Sequence, residues 1–258
     1  MTQPGFVAPT TPGWWVRTNR IGTNKTGYNW DITAIGHRDS LGTAEGDYGW
    51  AAGSAVGIGR FVTFDAVGAG GHGGTSITFT HTATAGAYVI LTVAGDRSDT
   101  PTATYGGVAM TVLASIGNNN NDAFPNGRTV QFGFASAPGG SKTVDVESPG
   151  GAWLIANTVS YTTIGSIGAT TTVFGSGTTL SQGPIVCPDG GIIVQSFGQG
   201  AGSAGFTSLT GGTVRYNQFN LDGNGAGITI MESAATATFT AHMGSAAWAG
   251  IATVLNYY

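Results

Sequence analysis

Polar and apolar residues alternate in short runs along most of this chain, and the runs come in two similar sets. Ser76-Ile77-Thr78-Phe79-Thr80 puts Ile77 and Phe79 on one face, the period-2 signature of a half-buried strand. Further runs fall near 87–94, 108–114, 128–135, 142–147 and 152–162, separated by Gly, Pro and Asn turn signals. A second series falls near 191–197, 213–219, 226–232, 235–241 and 247–257. Residues 86–161 can be laid over 190–257, and both stretches close with an Ala-Trp pair, Ala152-Trp153 and Ala247-Trp248, followed by an apolar strand. Two copies are too few for a solenoid, so the pattern predicts two related halves closing one sandwich. Tyr88, Ile90, Val112, Phe132, Phe134, Ile155 and Val159, with their counterparts in the second half, are the expected core. The predicted fold is therefore all-β: a two-sheet, jelly-roll-like sandwich with internal duplication. Helical spacing is everywhere interrupted by Gly or β-branched residues.

Residues 1–74 do not share this pattern. They hold Trp14, Trp15, Trp30 and Trp50, four of the six Trp, and their clearest strand is Arg60-Phe61-Val62-Thr63-Phe64-Asp65. The domain reading is an extended, Gly/Trp-rich arm and hinge over 1–74, then the sandwich over 75–258 with halves 86–161 and 190–257. The Thr- and Gly-rich stretch 165–183 reads as a linker between the halves, anchored at Val173-Phe174.

Composition narrows the class. Charged residues make up 9% of the chain, against about a quarter in ordinary soluble domains, and 45 of the 258 residues are Gly. Low charge with plentiful Val, Ile, Thr, Phe, Tyr and Trp points to a folded β protein, because disordered chains combine high charge with few such residues. A net charge of −4 with scattered Lys and Arg offers no basic footprint for nucleic acid. The chain has no apolar stretch long enough for a membrane helix, and its start lacks the basic and apolar regions of a signal peptide. Cys187 is the single cysteine, which excludes an internal disulfide; within Ile185-Val186-Cys187-Pro188 it reads as a small buried hydrophobe. Assembly in a cytosol is the expectation.

Candidate chemistry is sparse. Gly68-Ala69-Gly70-Gly71-His72-Gly73 matches the dinucleotide pattern G-x-G-x-x-G, but the strand at 75–80 follows it where a helix N-terminus would have to meet phosphate. It reads as a hinge between arm and sandwich. His37, His72, His81 and His242 lack metal-ligand spacing and read as turn or surface residues. Asp96, Asp99, Asp122, Asp189 and Asp222 sit near turns, and none stands out as half of a glycosidase pair. Asp222-Gly223-Asn224-Gly225 lacks the later Glu of a calcium loop, and no G-x-S-x-G is present. No catalytic, cofactor or metal residue is assigned, and the reading is non-enzymatic. Trp14, Trp15, Trp30 and Trp50 are the candidate partner-binding residues, read as aromatic anchors in a neighbouring subunit rather than as sugar-stacking platforms.

Tyr105-Gly106-Gly107-Val108-Ala109-Met110-Thr111, Gly127-Arg128-Thr129-Val130-Gln131-Phe132-Gly133-Phe134, Ala137-Pro138-Gly139-Gly140 and the closing strand from Trp153 to Tyr161 together resemble the Gly-rich β-sandwich minor tail proteins of long-tailed phages of actinobacteria. The resemblance is one of pattern and covers roughly 75–258. It implies a structural role in a virion, with other virion proteins and copies of the chain itself as partners. It brings no catalytic residues or cofactor. Two alternatives stand beside a minor tail or tail-tip role: a carbohydrate-binding or host receptor-binding module, whose ligand would be a host surface glycan, and a capsid decoration protein.

Overall fold

The computed structural model describes residues 13–21, 29–38, 61–151, 153–219 and 225–258. The chain divides into two compact units, Met1–Gly59 and Arg60–Tyr258. In the first, strand β1 (Gly13–Ile21) pairs antiparallel with β2 (Asn29–Arg38), Gly13 opposite Arg38 and Ile21 opposite Asn29.

The second unit is built of strands, as the β-branched and aromatic content predicts. Two of its sheets carry the duplication. In the first half, β3 (Thr63–Val67), β12 (Leu154–Thr162), β6 (Tyr88–Gly95), β10 (Arg128–Phe134) and β9 (Thr111–Gly117) lie side by side in that order, with β4 (Gly71–Gly73) also on β12. In the second half the order is β13 (Ile164–Ile185), β18 (Ala237–Tyr257), β14 (Ile192–Gln199), β17 (Gly227–Ser233), β16 (Thr213–Phe219). Strand for strand, these are the same topology.

The two sheets face each other, so the halves close one sandwich as the sequence predicts. Ile90, Val159 and Tyr161 of the first half pack against Ile192, Val194, Ile230 and Leu255 of the second. Each half carries a further layer on its outer face. In the first, β5 (Ser76–Ala83), β11 (Gly140–Glu147), β7 (Thr102–Tyr105) and β8 (Val108–Ala109) form a separate sheet over Val89, Leu91 and Val93. Ile77 and Phe79 point into that core, and β5 alternates exposed and buried throughout. In the second, the same role falls to the far ends of β13 and β18 with β15 (Thr207–Thr210). The β13–β18 register breaks between Gly177 and Thr179, and beyond that break Leu180, Phe239 and Ala241 pack onto Ile193, Phe197 and Trp248.

Several expectations are corrected by this arrangement. The 165–183 stretch is most of the 22-residue strand β13, not a linker, because Thr favours the pleated conformation and the glycines are absorbed at register irregularities. Val173 does pack on the second-half core, whereas Phe174 remains 46% exposed. The glycine-rich stretch at 68–73 is not a hinge: Gly71–Gly73 pairs with Leu154–Ala156, and Gly71 has no room for a side chain beside Ile77 and Phe79. With β3 and β4 in the sheet, the compact unit starts at Arg60 rather than at residue 75. Val112 lies on the edge strand β9 and is exposed, not core.

The Trp overlay is one residue out of register. Arg128 pairs with Gly95 and Gly227 with Gln199, so Gly95 and Gln199 are equivalent. Ile155 pairs with Ala94, and Ala249 with Gly198, which makes Leu154, not Trp153, the counterpart of Trp248. A one-residue slip on a strand exchanges its faces. Trp248 accordingly lies in the second-half core with an edge-on contact to Phe197, while Trp153 is 39% exposed.

Equivalent positions meet where the halves touch. Thr92 Oγ1 and Ser196 Oγ are 2.7 Å apart, and a Cβ on Gly198 would lie 3.0 Å from Ala94 Cβ. An approximate two-fold axis therefore runs along β6 and β14. Around it, Gln131 Nε2 donates to Ser196 Oγ at 3.3 Å and Thr253 Oγ1 donates to Gln131 Oε1 at 2.6 Å, all of these side chains fully buried. Farther out, Tyr161 donates to Glu232 at 2.7 Å, Arg215 pairs with Glu232, and the Arg215 guanidinium sits 3.6 Å above the Phe64 ring. Burial, then the Glu232 charge, holds the Tyr161 phenol well above its ordinary pKa, so it stays a donor.

The register argument gives a stability test. Trp248→Ala should cost about 3–5 kcal/mol in denaturant unfolding. Trp153→Ala should fall within about 0.5 kcal/mol of the parent. Equal losses at the two positions would contradict the assigned equivalence.

Candidate functional site

With so few ionisable groups, the location of each is informative. His81 is buried on β5, contrary to the turn or surface position expected for it. Its Nδ1 lies 3.0 Å from Thr158 Oγ1, and its ring meets Tyr105 edge-on at 6.1 Å. Two residues along β12, Ser160 Oγ donates to Asp65 at 2.7 Å; Asp65 also accepts from the Thr84 backbone N–H at 2.9 Å and hydroxyl at 2.6 Å. This brings a His, an Asp and three hydroxyls close together but not in series. The imidazole faces Thr158 and the carboxylate holds Ser160, so no hydroxyl is placed between base and carboxylate as a relayed nucleophile requires. The cluster joins β3, β5 and β12.

Burial drives the His81 pKa down to about 4 from its ordinary 6.5, against the pull of the Asp65 carboxylate. Burial works to raise Asp65, but hydrogen bonds from Thr84 and Ser160 outweigh it and leave that pKa lowered.

The first half brings Arg97, Asp99, Asp122, Phe124 and Trp153 to one end, where three loops meet: 96–101, 118–127 and 148–153. Their meeting is set by sheet register, since Gly95 pairs with both Arg128 and Leu154. Asp96 accepts the Trp153 backbone N–H at 3.0 Å, and Asp99 accepts that of Gly150 at 2.5 Å. The Arg97 guanidinium covers the Phe124 ring at 4.2 Å from its centroid. Arg128 ties the base together, donating to Thr100 at 2.5 Å and Ser115 at 2.9 Å and pairing with Asp122. The result is a rigid loop end that presents Trp153 and Phe124, the latter 58% exposed, beside carboxylates and a guanidinium. Such a surface can stack an apolar ligand face, while its carboxylates are tied up: Asp96 is buried, Asp99 accepts from Gly150 and Asp122 pairs with Arg128. Gly200 of the second half packs against this end, beside Gly95 and Asp96.

The sequence marks Asp96, Asp99 and Asp122 only as turn residues, and no spacing connects them to Phe124 or Trp153. Of the four candidate anchors, Trp14 and Trp15 lie on β1 opposite His37 and Gly36, and Trp30 lies on β2 opposite Arg20. Trp50 and Asp222 fall outside the described residues. Cys187 is free and partly buried against the second-half core, and burial raises its thiol pKa. A groove of about 440 Å³ lies at the fold-back of β13; there the Gln182 amide donates to the Thr171 carbonyl at 3.1 Å. Among the described residues, no group of three His, Cys, Asp or Glu could hold a metal ion. No helix of the described residues is long and apolar enough to cross a membrane.

No protein-family model, curated protein or solved structure matches the chain.

His81 makes acid stability testable. Its pKa is lower folded than unfolded, so between pH 6.5 and about 4 the unfolded chain binds the extra proton. The stability due to neutral His81 is complete above that window and declines as pH falls through it. Denaturant midpoints should drop across this range in the native chain and change less in His81→Gln; parallel profiles would show that another group governs the acid limb.

Proposed function

We propose that this protein is a non-enzymatic structural component of a phage virion, a minor tail or tail-tip protein attached through its N-terminal segment. The resemblance of residues 75–258 to phage minor tail proteins suggests the reading. One structural observation supports it: the groups best suited to chemistry are tied into bonds that join strands and layers. Ser160 and Thr84 hold Asp65, Thr158 faces His81, and Tyr161 and Arg215 share Glu232. Polar groups used this way make a rigid building block.

Attachment is assigned to residues 1–59, with Trp14, Trp15, Trp30 and Trp50 as aromatic anchors. Arg60–Tyr258 has its own cores and its own sheets, whereas ordering an added segment costs about 1–2 kcal/mol per residue of backbone unless it buries surface on a partner. A second reading, a glycan- or receptor-binding module, is favoured by Phe124 and Trp153 on the loop end. Host virion assembly with a tagged chain separates the two. The full chain should appear in purified particles by mass spectrometry and at the tail by immunogold labelling. A chain lacking residues 1–59 should fold and melt cooperatively yet be lost from particles. Absence of the full chain from particles, with glycan binding abolished by Trp153→Ala and Phe124→Ala, would replace the first reading with the second.

A further inference from the structure

The approximate two-fold axis between the inner sheets gives every contact across them an equivalent contact on its other side. In two identical halves the members of each such pair would be alike. Here one member is polar and the other apolar. Gln131 of the first half meets Ser196 and Thr253 of the second. Strand register makes Ile230 the counterpart of Gln131, since they lie opposite the equivalent residues Ser196 and Thr92. It makes Val159 the counterpart of Thr253, opposite Ile90 and Val194 in turn. The equivalent contact is therefore Ile230 with Val159, and both lie in the apolar cluster between the sheets. Farther out, Tyr161 donates to Glu232, and their counterparts are Leu255 and Gly133. Arg215, at the register shift between β16 and β17, corresponds to Leu113, at the same shift between β9 and β10.

Size differs in the same way. Gly198 has no room for a side chain beside Thr129 and Ala94, whereas the counterpart contact, Ala94 with Ile228, is made by two apolar side chains.

These differences decide which halves can pair. Two first halves would put Ala94 in the place of Gly198, pressing a methyl onto Thr129 at two points, and would set each Gln131 amide against Val159. Two second halves would set Gly198 against Ile228, leaving a gap, each Thr253 hydroxyl against Ile230, and each Glu232 against Leu255. A buried polar group left without its partner loses the solvation it had in water. A first half with a second half meets none of these penalties.

We propose that the shared face is a pairing code: a first half accepts a second half, of its own chain or of another copy, and rejects its own kind. Specificity of this sort comes from clashes and unmatched groups against the wrong partner as well as from contacts to the right one. In a chain whose halves share one topology, the code keeps copies from joining through like halves as they fold. It concerns how halves recognise each other, and it stands apart from the question of what the whole chain attaches to.

In the full-length chain, Gln131→Ile and Thr253→Val should each raise the equilibrium constant for unfolding at least tenfold in urea titrations, because each leaves the other group unmatched. Adding Ile230→Gln and Val159→Thr to that pair moves the polar contact to the counterpart side, with Thr92 in the role of Ser196. The four-residue variant should then be more stable than either single variant. Single variants as stable as the native chain overturn the proposal, as does a four-residue variant no more stable than the singles. A second measurement is independent of these substitutions. With Cys187→Ser to remove the native thiol, Thr92→Cys and Ser196→Cys place thiols where the two hydroxyl oxygens lie 2.7 Å apart. Refolded at high concentration in a glutathione redox buffer, this chain should yield only 92–196 disulfides on peptide mapping. A 92–92 or 196–196 link overturns the proposal, and so does the absence of any link.

Discussion

Everything in the larger unit hangs on two inner sheets whose central strands, β6, β10 and β12 in one and β14 and β17 in the other, have no solvent face. Each is covered on one side by its own outer layer and on the other by its counterpart, so polar side chains at the centre of the shared face find partners across the interface rather than in solvent. Thr92, Gln131, Ser196 and Thr253 do this in one connected chain of hydrogen bonds, with Thr92 and Ser196 at equivalent positions beside the approximate axis. A purely apolar interface would tolerate sliding of one sheet on the other. A buried polar chain does not, because each unmade bond costs the full desolvation of its group, about 1–3 kcal/mol. The belt thus fixes the register in which the halves meet, and with it the positions of both outer layers.

The charged residues follow the same economy. Glu232 is shared by Tyr161 of one half and Arg215 of the other, and Arg215 caps Phe64 across the same boundary. Asp65 gathers hydroxyls from two strands. Spending carboxylates and cations on internal joints leaves the strand edges to be guarded by whatever remains. Asp65 and Arg215, on β3 and β16, belong to these joints, and β9 and β13 carry no charged residue.

The loop end shows how a surface can arise without a motif. Trp153 is there because it precedes the first residue of β12, and Phe124 because the loop before β10 returns beside Gly95. Neither position carries a spacing signal. What brings them within one patch is sheet register, and what holds them is a set of backbone amides accepted by Asp96 and Asp99. The same logic explains the Trp pair. Both tryptophans follow an alanine, so local sequence makes them look equivalent, but pairing with β6 and β14 places one on the core face and the other outside.

The amino-acid sequence by itself determined the class of structure: strand period, turn residues and β-branched content compel an all-β chain, and two matching sets of runs compel a duplicated one. It also determined the core side of β5, whose strict alternation leaves one solution. Tertiary structure decided what period and composition cannot carry. In strands buried on both faces, such as β6 and β14, alternation disappears, so the sequence cannot tell which side chains look toward the other half. A Thr- and Gly-rich stretch becomes the long strand β13 because β18 offers it a partner along its length; its threonines favour the pleated conformation, but its glycines hide the strand from a reading of local pattern. His81 is in phase with Ile77 and Phe79, so the alternation of β5 already puts it on the core face; that β12 supplies Thr158 to meet it is a matter of tertiary structure. Short-range pattern sets which elements form, and long-range pairing sets which of their residues meet.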